Sequence, residues 1–134
     1  DEHDAFAELG HVVVSGESAL DTGEETFFVR EGYSPLLVRK LRRGQWVIEE
    51  ELDLHGARRD EAREMLGDFL KHAIRGRRHC VRIIHGKGLG SMNREPVLKH
   101  KVKVWLSRRE EVIAYCQAPP TMGGGGALLV LLKR

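Results

Sequence analysis

The sequence predicts an α/β domain with the element order β-α-β-α-β-β, and two observations carry that prediction. Residues 59 to 75 place Ala62, Met65, Leu66, Phe69, Leu70, Ala73 and Ile74 at steps of three and four, the pattern of a helix with one buried stripe. On either side of this helix stand strand-like runs, Trp46 to His55 and His79 to His85. A helix between two strands implies a parallel βαβ unit with a right-handed crossover.

Residues 1 to 34 lack sustained periodicity beyond His11-Val12-Val13-Val14 and Phe27-Phe28-Val29, so they are expected to form an acidic arm that is flexible or lies against the domain. Residues 35 to 45 predict a short helix with Leu37, Val38 and Leu41 on one side and a basic opposite side, closed by Gly44. In the first strand Leu52 and Leu54 share one face and Asp53 and His55 the other, because side chains alternate along a strand. Gly56 ends that strand, and Gly76 stops the helix that follows. After the second strand comes Gly86-Lys87-Gly88-Leu89-Gly90. Asn93 is placed to cap the next helix and Pro96 to sit in its first turn. Leu98, Val102, Trp105 and Leu106 form its buried stripe up to about Arg109, while Lys99, Lys101, Lys103 and Arg108 face elsewhere. Val112 to Cys116 reads as a third strand, Pro119-Pro120 and Gly123 to Gly126 as a loop, and Ala127 to Leu132 as a fourth strand. Two regions result: residues 1–45, an acidic arm with a short basic helix, and residues 46–134, the domain proper.

A chain of 134 residues suits one core, and its 41% hydrophobic content is ordinary for a globular domain. No apolar run approaches the ~18 to 20 residues needed to cross a bilayer, so no membrane partner is expected. Cys80 and Cys116 fall inside apolar runs and read as buried reduced thiols, which with the lack of a signal peptide points to the cytoplasm. The net charge of +2 conceals a segregation. Residues 1 to 34 hold nine acids and one base, whereas residues 35 to 134 hold 21 bases and 11 acids. Runs such as Arg39-Lys40-Leu41-Arg42-Arg43 would draw a polyanion by releasing its counterions. Charge alone also fits an ordinary solvated surface.

Position adds what charge lacks. In a parallel βαβ unit the carboxyl ends of both strands lie on one edge, where open α/β sheets bind ligands, so Asp53, His55 and His85 are expected there together. The Gly86-Lys87-Gly88 turn adds backbone amides that an anion can approach closely. If the last strand runs antiparallel to the third, Gly124 and Gly125 reach the same edge. Such a patch suits phosphodiester chemistry. An imidazole exchanges protons near neutrality, an aspartate two residues earlier can orient it, and a lysine with backbone amides stabilises charge on a phosphoryl oxygen. RNA supplies its own nucleophile, the 2′-hydroxyl. On this reading His55 is general base or acid, Asp53 its orienting partner, His85 a second proton carrier and Lys87 a phosphate contact. Which of the three side chains is acid and which base stays open.

Plainer readings apply to each feature alone. An isolated Asp-x-His is more often a hydrogen-bonded pair at a strand end. A metal site from Asp53, His55 and His85 lacks recognisable spacing, so neither metal nor cofactor is predicted, and dependence on a divalent ion is left open. Gly-Lys-Gly falls short of the longer phosphate-loop motif. Trp105 reads as core, and His72, His79 and His100 as incidental.

Leu52-Asp53-Leu54-His55-Gly56, the amphipathic helix after it, Ile84-His85-Gly86-Lys87-Gly88, and Gly123 to Ala127 before the last strand together resemble the Smr (small MutS-related) domain family over roughly residues 50 to 134. The lead-in from Val38 to Gly44 and Trp46 to Glu49 is similar to that of stand-alone proteobacterial Smr proteins. The resemblance implies a two-layer sandwich with a mixed four-stranded sheet in order 1-2-4-3 and strand 4 antiparallel, as in the C-terminal domain of translation initiation factor three. It implies an endonuclease that cuts RNA, including messenger RNA on stalled or collided ribosomes, or nicks DNA. The alternative is a non-catalytic module that binds nucleic acid or the ribosome. Asp53 and His55 match the pair associated with cleavage. His85, Gly86, Lys87 and Gly88 match the turn associated with nucleic-acid contact, to which Arg39, Lys40, Arg42, Arg43, Gly124 and Gly125 are added. A monomer is expected. One departure is visible: Ala57-Arg58-Arg59 stands where many relatives have a helix-capping Thr.

Overall fold

Residues 127–132, Ala-Leu-Leu-Val-Leu-Leu, have no polar side chain for either face, so they form a stable strand only where both faces are covered. In the computed structural model, which describes residues 26–87 and 97–134, this strand is buried at every position and sits at the centre of one mixed sheet. The strands are β1 Phe27–Val29, β2 Glu50–Asp53, β3 Cys80–Ile84, β4 Val112–Gln117 and β5 Ala127–Leu132, in spatial order β1-β4-β5-β3-β2. The helices are α1 Leu36–Arg42, α2 Arg59–Arg75 and α3 Val97–Ser107. β2 pairs in parallel with β3, and β5 runs antiparallel to both β3 and β4.

The expected order 1-2-4-3 is therefore present as β2-β3-β5-β4, with α2 at its predicted bounds. The strand count is corrected from four to five. Phe27-Phe28-Val29, assigned above to the arm, pairs antiparallel with β4, Val29 opposite Ala114. The triplet folds as an edge strand because both faces find cover: Phe28 stacks on Tyr115 with ring centroids 5.3 Å apart, and Val29 is buried on the other face. Arg30, the one base of the first 34 residues, fixes the strand's end. Its guanidinium lies 5.0 Å from the Phe28 ring centroid and donates to the carbonyls of Val112, Ser107 and Arg109 at 2.7 to 2.8 Å. Of these, the Ser107 carbonyl belongs to the last turn of α3, whose final carbonyls have no partner within the helix.

Two apolar clusters cover the sheet. Leu54, Val81, Ile83, Tyr115, Leu128 and Val130 pack with Ala62, Leu66 and Leu70 of α2 and with Val102 and Leu106 of α3. On the opposite face Val29, Cys80, Cys116, Leu129 and Leu131 pack with Val38 and Leu41 of α1. Burial pushes both thiols up to about 12, which keeps them protonated. α1 lies mainly over β1, β4 and β5, and on the same face Asp53 of β2 is exposed while Arg82 and Ile84 of β3 are half-buried. The two-layer expectation is thus met with a half-covered second face, and the open half holds the candidate site.

Both ends of α2 follow the sequence. The helix begins without a Thr cap, and the Glu61 carboxylate accepts the Arg58 backbone N–H at 3.3 Å. Gly76 caps the other end as expected, and the left-handed conformation, φ 55°, falls on Arg77 just after it. Asn93 and Pro96 lie outside the described residues.

Replacing Arg30 with Ala removes three charge-assisted bonds to half-buried carbonyls. Urea denaturation is expected to show a loss of about 2 to 3 kcal/mol, within the range for hydrogen bonds to charged groups. An unchanged midpoint would make β1 an ornament of the sheet rather than a part of it.

Candidate active site

Asp53 is the last residue of β2, and its side chain closes a small turn beyond the strand. Its Oδ1 accepts the backbone N–H of His55 at 3.0 Å and lies 2.6 Å from the His55 Nδ1. A carboxylate accepting the amide two residues on is a common turn device of aspartate, and here it also fixes the following imidazole. Leu54 accepts from Ala57 N at 3.0 Å, and Gly56 between them has φ +81°, a conformation that other residues adopt only with strain. Each residue of Leu-Asp-Leu-His-Gly thus has a task. The leucines face the core, the aspartate holds the histidine, and the glycine turns the chain.

The pairing sets the chemistry of both groups. The hydrogen bond from the His55 ring, then that from its backbone, holds the Asp53 carboxyl below its ordinary range. Since the ionised carboxylate can only accept, Nδ1 carries the proton and Nε2 is left as the imidazole's proton acceptor. The His55 side chain is 70% exposed, so solvent reaches it.

β3 delivers the opposite wall. Asp53 stands in register with Ile84, and the chain then reaches His85 and Gly86. Gly86 has φ +90°, and a Cβ there would stand 3.1 Å from the His55 Cβ, so the turn lies directly against the imidazole's stem. The Gly126 carbonyl accepts from both His85 N and Gly86 N at 2.9 and 3.0 Å, which fastens this turn to the glycine run. His55, Arg82, Ile84, Gly86, Lys87, Met122, Gly123 and Gly126 then line a hollow of about 350 Å³. A larger cleft of about 810 Å³ adjoins it through Lys87 and Gly123 and continues past Gly124, Gly125, Gln117 and Arg42. Together they form one groove with the acid-imidazole pair near one end and Arg42 near the other.

His85 corrects an expectation. Its backbone reaches the shared edge, but its ring does not open on the groove. Alternation sends Arg82 and Ile84 of β3 to the open face, so Ile83 and His85 turn toward α2 and α3. The His85 side chain is only 3% exposed, and its Nδ1 donates to the Gly86 carbonyl at 2.7 Å. Burial pushes its pKa down to about 4, with Lys99 and Lys103 adding to the effect against the bond to Gly86. A buried neutral imidazole holds the turn, and its ring is not part of the groove's lining.

The other predicted residues divide. Lys87 is exposed on the groove, Gly86 forms its wall, and Gly124, Gly125 and Arg42 line its far part. Arg39 and Arg43 are exposed on and just after α1, and Lys40 is half-buried, but none of these three lines the groove. Gly88 lies outside the described residues. Two contributors were missed. Arg82 forms an ion pair with Glu51 and donates to the Met122 carbonyl at 3.1 Å, placing a guanidinium on the floor beside His55. Lys99, read as facing elsewhere, reaches the groove-lining Gln117 at 3.2 Å. The alternation of β3 would have revealed Arg82; no signal in the sequence marks Lys99.

With this geometry in hand, residues 52–133 match the family described as the Smr domain. The chain belongs to the Smr family. A ribosome rescue factor SmrB of Aliivibrio salmonicida is 39% identical over 106 residues, spanning 79% of this chain and 56% of that protein. One of Yersinia enterocolitica is 39% identical over 114 residues, spanning 85% and 61%. The chain thus covers less than two thirds of these relatives. Among solved Smr structures, YdaL, a stand-alone small MutS-related protein from Escherichia coli, superposes with a TM-score of 0.71 at 34% identity over 82% of this chain and 84% of that one. The Smr domain of Thermus thermophilus MutS2 gives 0.56 at 30% identity over 63% and 99%.

Two outcomes are expected. Between pH 6.5 and about 4 the unfolded chain takes up a proton that the buried His85 refuses, so this group lowers stability as pH drops through that window and adds no slope above it. The full effect is on the order of 3 kcal/mol. Thermal melts across this range check it, and His85→Asn should flatten the slope. Gly86→Ala should cost about 1 to 2 kcal/mol from its left-handed backbone and also push His55 off Asp53. The imidazole nitrogen resonances would register the lost bond, and unchanged resonances would show that the turn does not position His55.

Proposed function

We propose that this Smr domain is an endonuclease that cleaves RNA, with messenger RNA on stalled or collided ribosomes as its setting in the cytoplasm. The observation that carries the reading is the exposed His55 imidazole, its Nδ1 held 2.6 Å from Asp53 Oδ1, at the end of a groove lined by Lys87 and Arg82. His55 Nε2 takes the proton of a 2′-hydroxyl, the 2′-oxygen attacks phosphorus, and the departing 5′-oxygen takes a proton from solvent in the open groove. Lys87, Arg82 and the backbone of the glycine turn meet the charge that builds on the phosphoryl oxygens. Asp53 keeps the imidazole in the tautomer whose Nε2 is free. His85 acts by holding the Gly86 turn in place. The SmrB relatives, named as ribosome rescue factors, support the ribosomal setting.

End-labelled RNA and its all-deoxy counterpart test the reading, with and without EDTA. RNA should be cut to 2′,3′-cyclic phosphate ends and the deoxy strand left whole, since it lacks the nucleophile. His55→Ala should lower the rate by about 10² to 10⁴, the usual contribution of a general base. Asp53→Asn should also slow cleavage. Activity that survives both substitutions would belong to a contaminant, and RNA binding without cleavage by the unmodified chain would make the domain a binding module. Nicking of the deoxy strand would require a different nucleophile, such as an activated water.

A further inference from the structure

A second basic groove lies between α2 and α3, across the sheet from Asp53 and His55. Two hollows form it, of about 120 and 280 Å³, and Arg63, Trp105 and Arg108 border both. Arg109 completes the first, and Arg59 and Lys101 the second. Among the described residues that line these hollows, five are basic and one, Asp60, is acidic. The Asp60 side chain is 99% exposed and only 3.9 Å from Arg59, so it neutralises little.

Several features distinguish this surface from an ordinary solvated helix face. Such a face normally carries both signs at helical spacing. α3 reads VLKHKVKVWLS and contains no acid at all. Glu61, Glu64 and Asp68 of α2 do not border the groove, whereas Arg59 and Arg63 do. Gly67 leaves room that a side chain would close, since a Cβ there would stand 3.0 Å from Arg109 Nη2. The Arg109 carbonyl is itself held by Arg30, so the end of the groove is fixed by the β1 anchor. Trp105 packs on the core yet remains partly exposed along the groove. An aromatic face among guanidinium groups is the combination that grips a nucleic-acid strand through phosphate contact and base stacking.

We propose that the α2–α3 groove is a second RNA site, which takes the phosphate backbone of a separate segment of a folded substrate. The sheet stands between the two grooves, so a short strand lying beside His55 does not reach Arg63 or Arg108. A folded RNA can present one segment to each face. The inference rests on reading the domain as one that binds RNA, and it adds that structured RNA is favoured over short single strands for a reason separate from cleavage.

The test uses the full chain with Arg63→Glu and Arg108→Glu together, and Arg63→Lys with Arg108→Lys as the charge-preserving control. Thermal melts confirm that each variant folds. Affinity for a hairpin RNA is measured in a His55→Ala background across a salt series, and cleavage of a short single-stranded RNA is measured without that background change. The Glu pair should weaken hairpin binding at least about tenfold and lower the slope of log affinity against log salt by about two charges' worth. The Lys pair should keep both, and the short RNA should be cut at the unmodified rate. Unchanged hairpin affinity in the Glu pair would overturn the proposal. So would equal loss on the short RNA, which would show one shared site, and so would weakened binding to purified ribosomes with hairpin affinity intact, which would assign the groove to an acidic protein surface. Failure of cleavage alone would overturn the nuclease reading and leave the hairpin measurement to decide the groove.

Discussion

Because β2 lies parallel to β3, two segments about thirty residues apart end side by side, and the site follows from that alignment. Leu54 N donates to the Ile84 carbonyl at 2.6 Å, so the ladder continues one step past the last residue of β2 before either chain turns away. That extra rung delivers the Asp53–His55 turn and the Gly86 turn to the same height on the same rim. Antiparallel pairing would have sent them to opposite ends. The crossover through α2 enforces the parallel direction, and its apolar stripe seals the face from which Leu52 and Leu54 project.

The central strand supplies the third wall. β5 runs antiparallel to β3, with Ala127 opposite Ile84, so the glycine run just before it arrives at the rim from the other direction. Its Gly126 carbonyl then ties down the turn after β3. Three chain segments therefore meet through backbone contacts rather than through long side chains, which leaves a rim that an anion can approach closely. α1 limits the groove by stopping over β1, β4 and β5.

Much of this was legible in the residues. Period-two alternation placed Asp53 and His55 on the face opposite Leu52 and Leu54, and the stripe of α2 gave that helix to the residue. The continuous apolar run gave β5, and the βαβ rule gave the shared rim. What escaped reading depended on partners distant in sequence. Phe27-Phe28-Val29 is too short and too close to an acidic stretch to declare itself a strand, since its stability comes from Tyr115, Ala114 and the carbonyls that Arg30 finds 77 to 82 residues away. His85 was placed on the correct rim but facing the wrong way. The motif drew attention to its type, whereas the alternation that exposed His55 also required that a residue following Ile84 be buried. The basic character of α1 was visible, but only packing decides that Arg42, and neither Arg39 nor Arg43, borders the groove.

β2 is the outermost strand on its side of the sheet, and an outermost strand offers unpaired backbone to any extended chain that drifts past. Here the rim is crowded with carboxylates: Glu49 caps the His79 and Cys80 amides, Glu50 pairs with Arg78, Glu51 pairs with Arg82, and Asp53 holds His55. An intruding strand would have to strip these charges of water and partners to dock. Charge along an edge strand disfavours pairing with another strand, and this border of carboxylates gives β2 that protection.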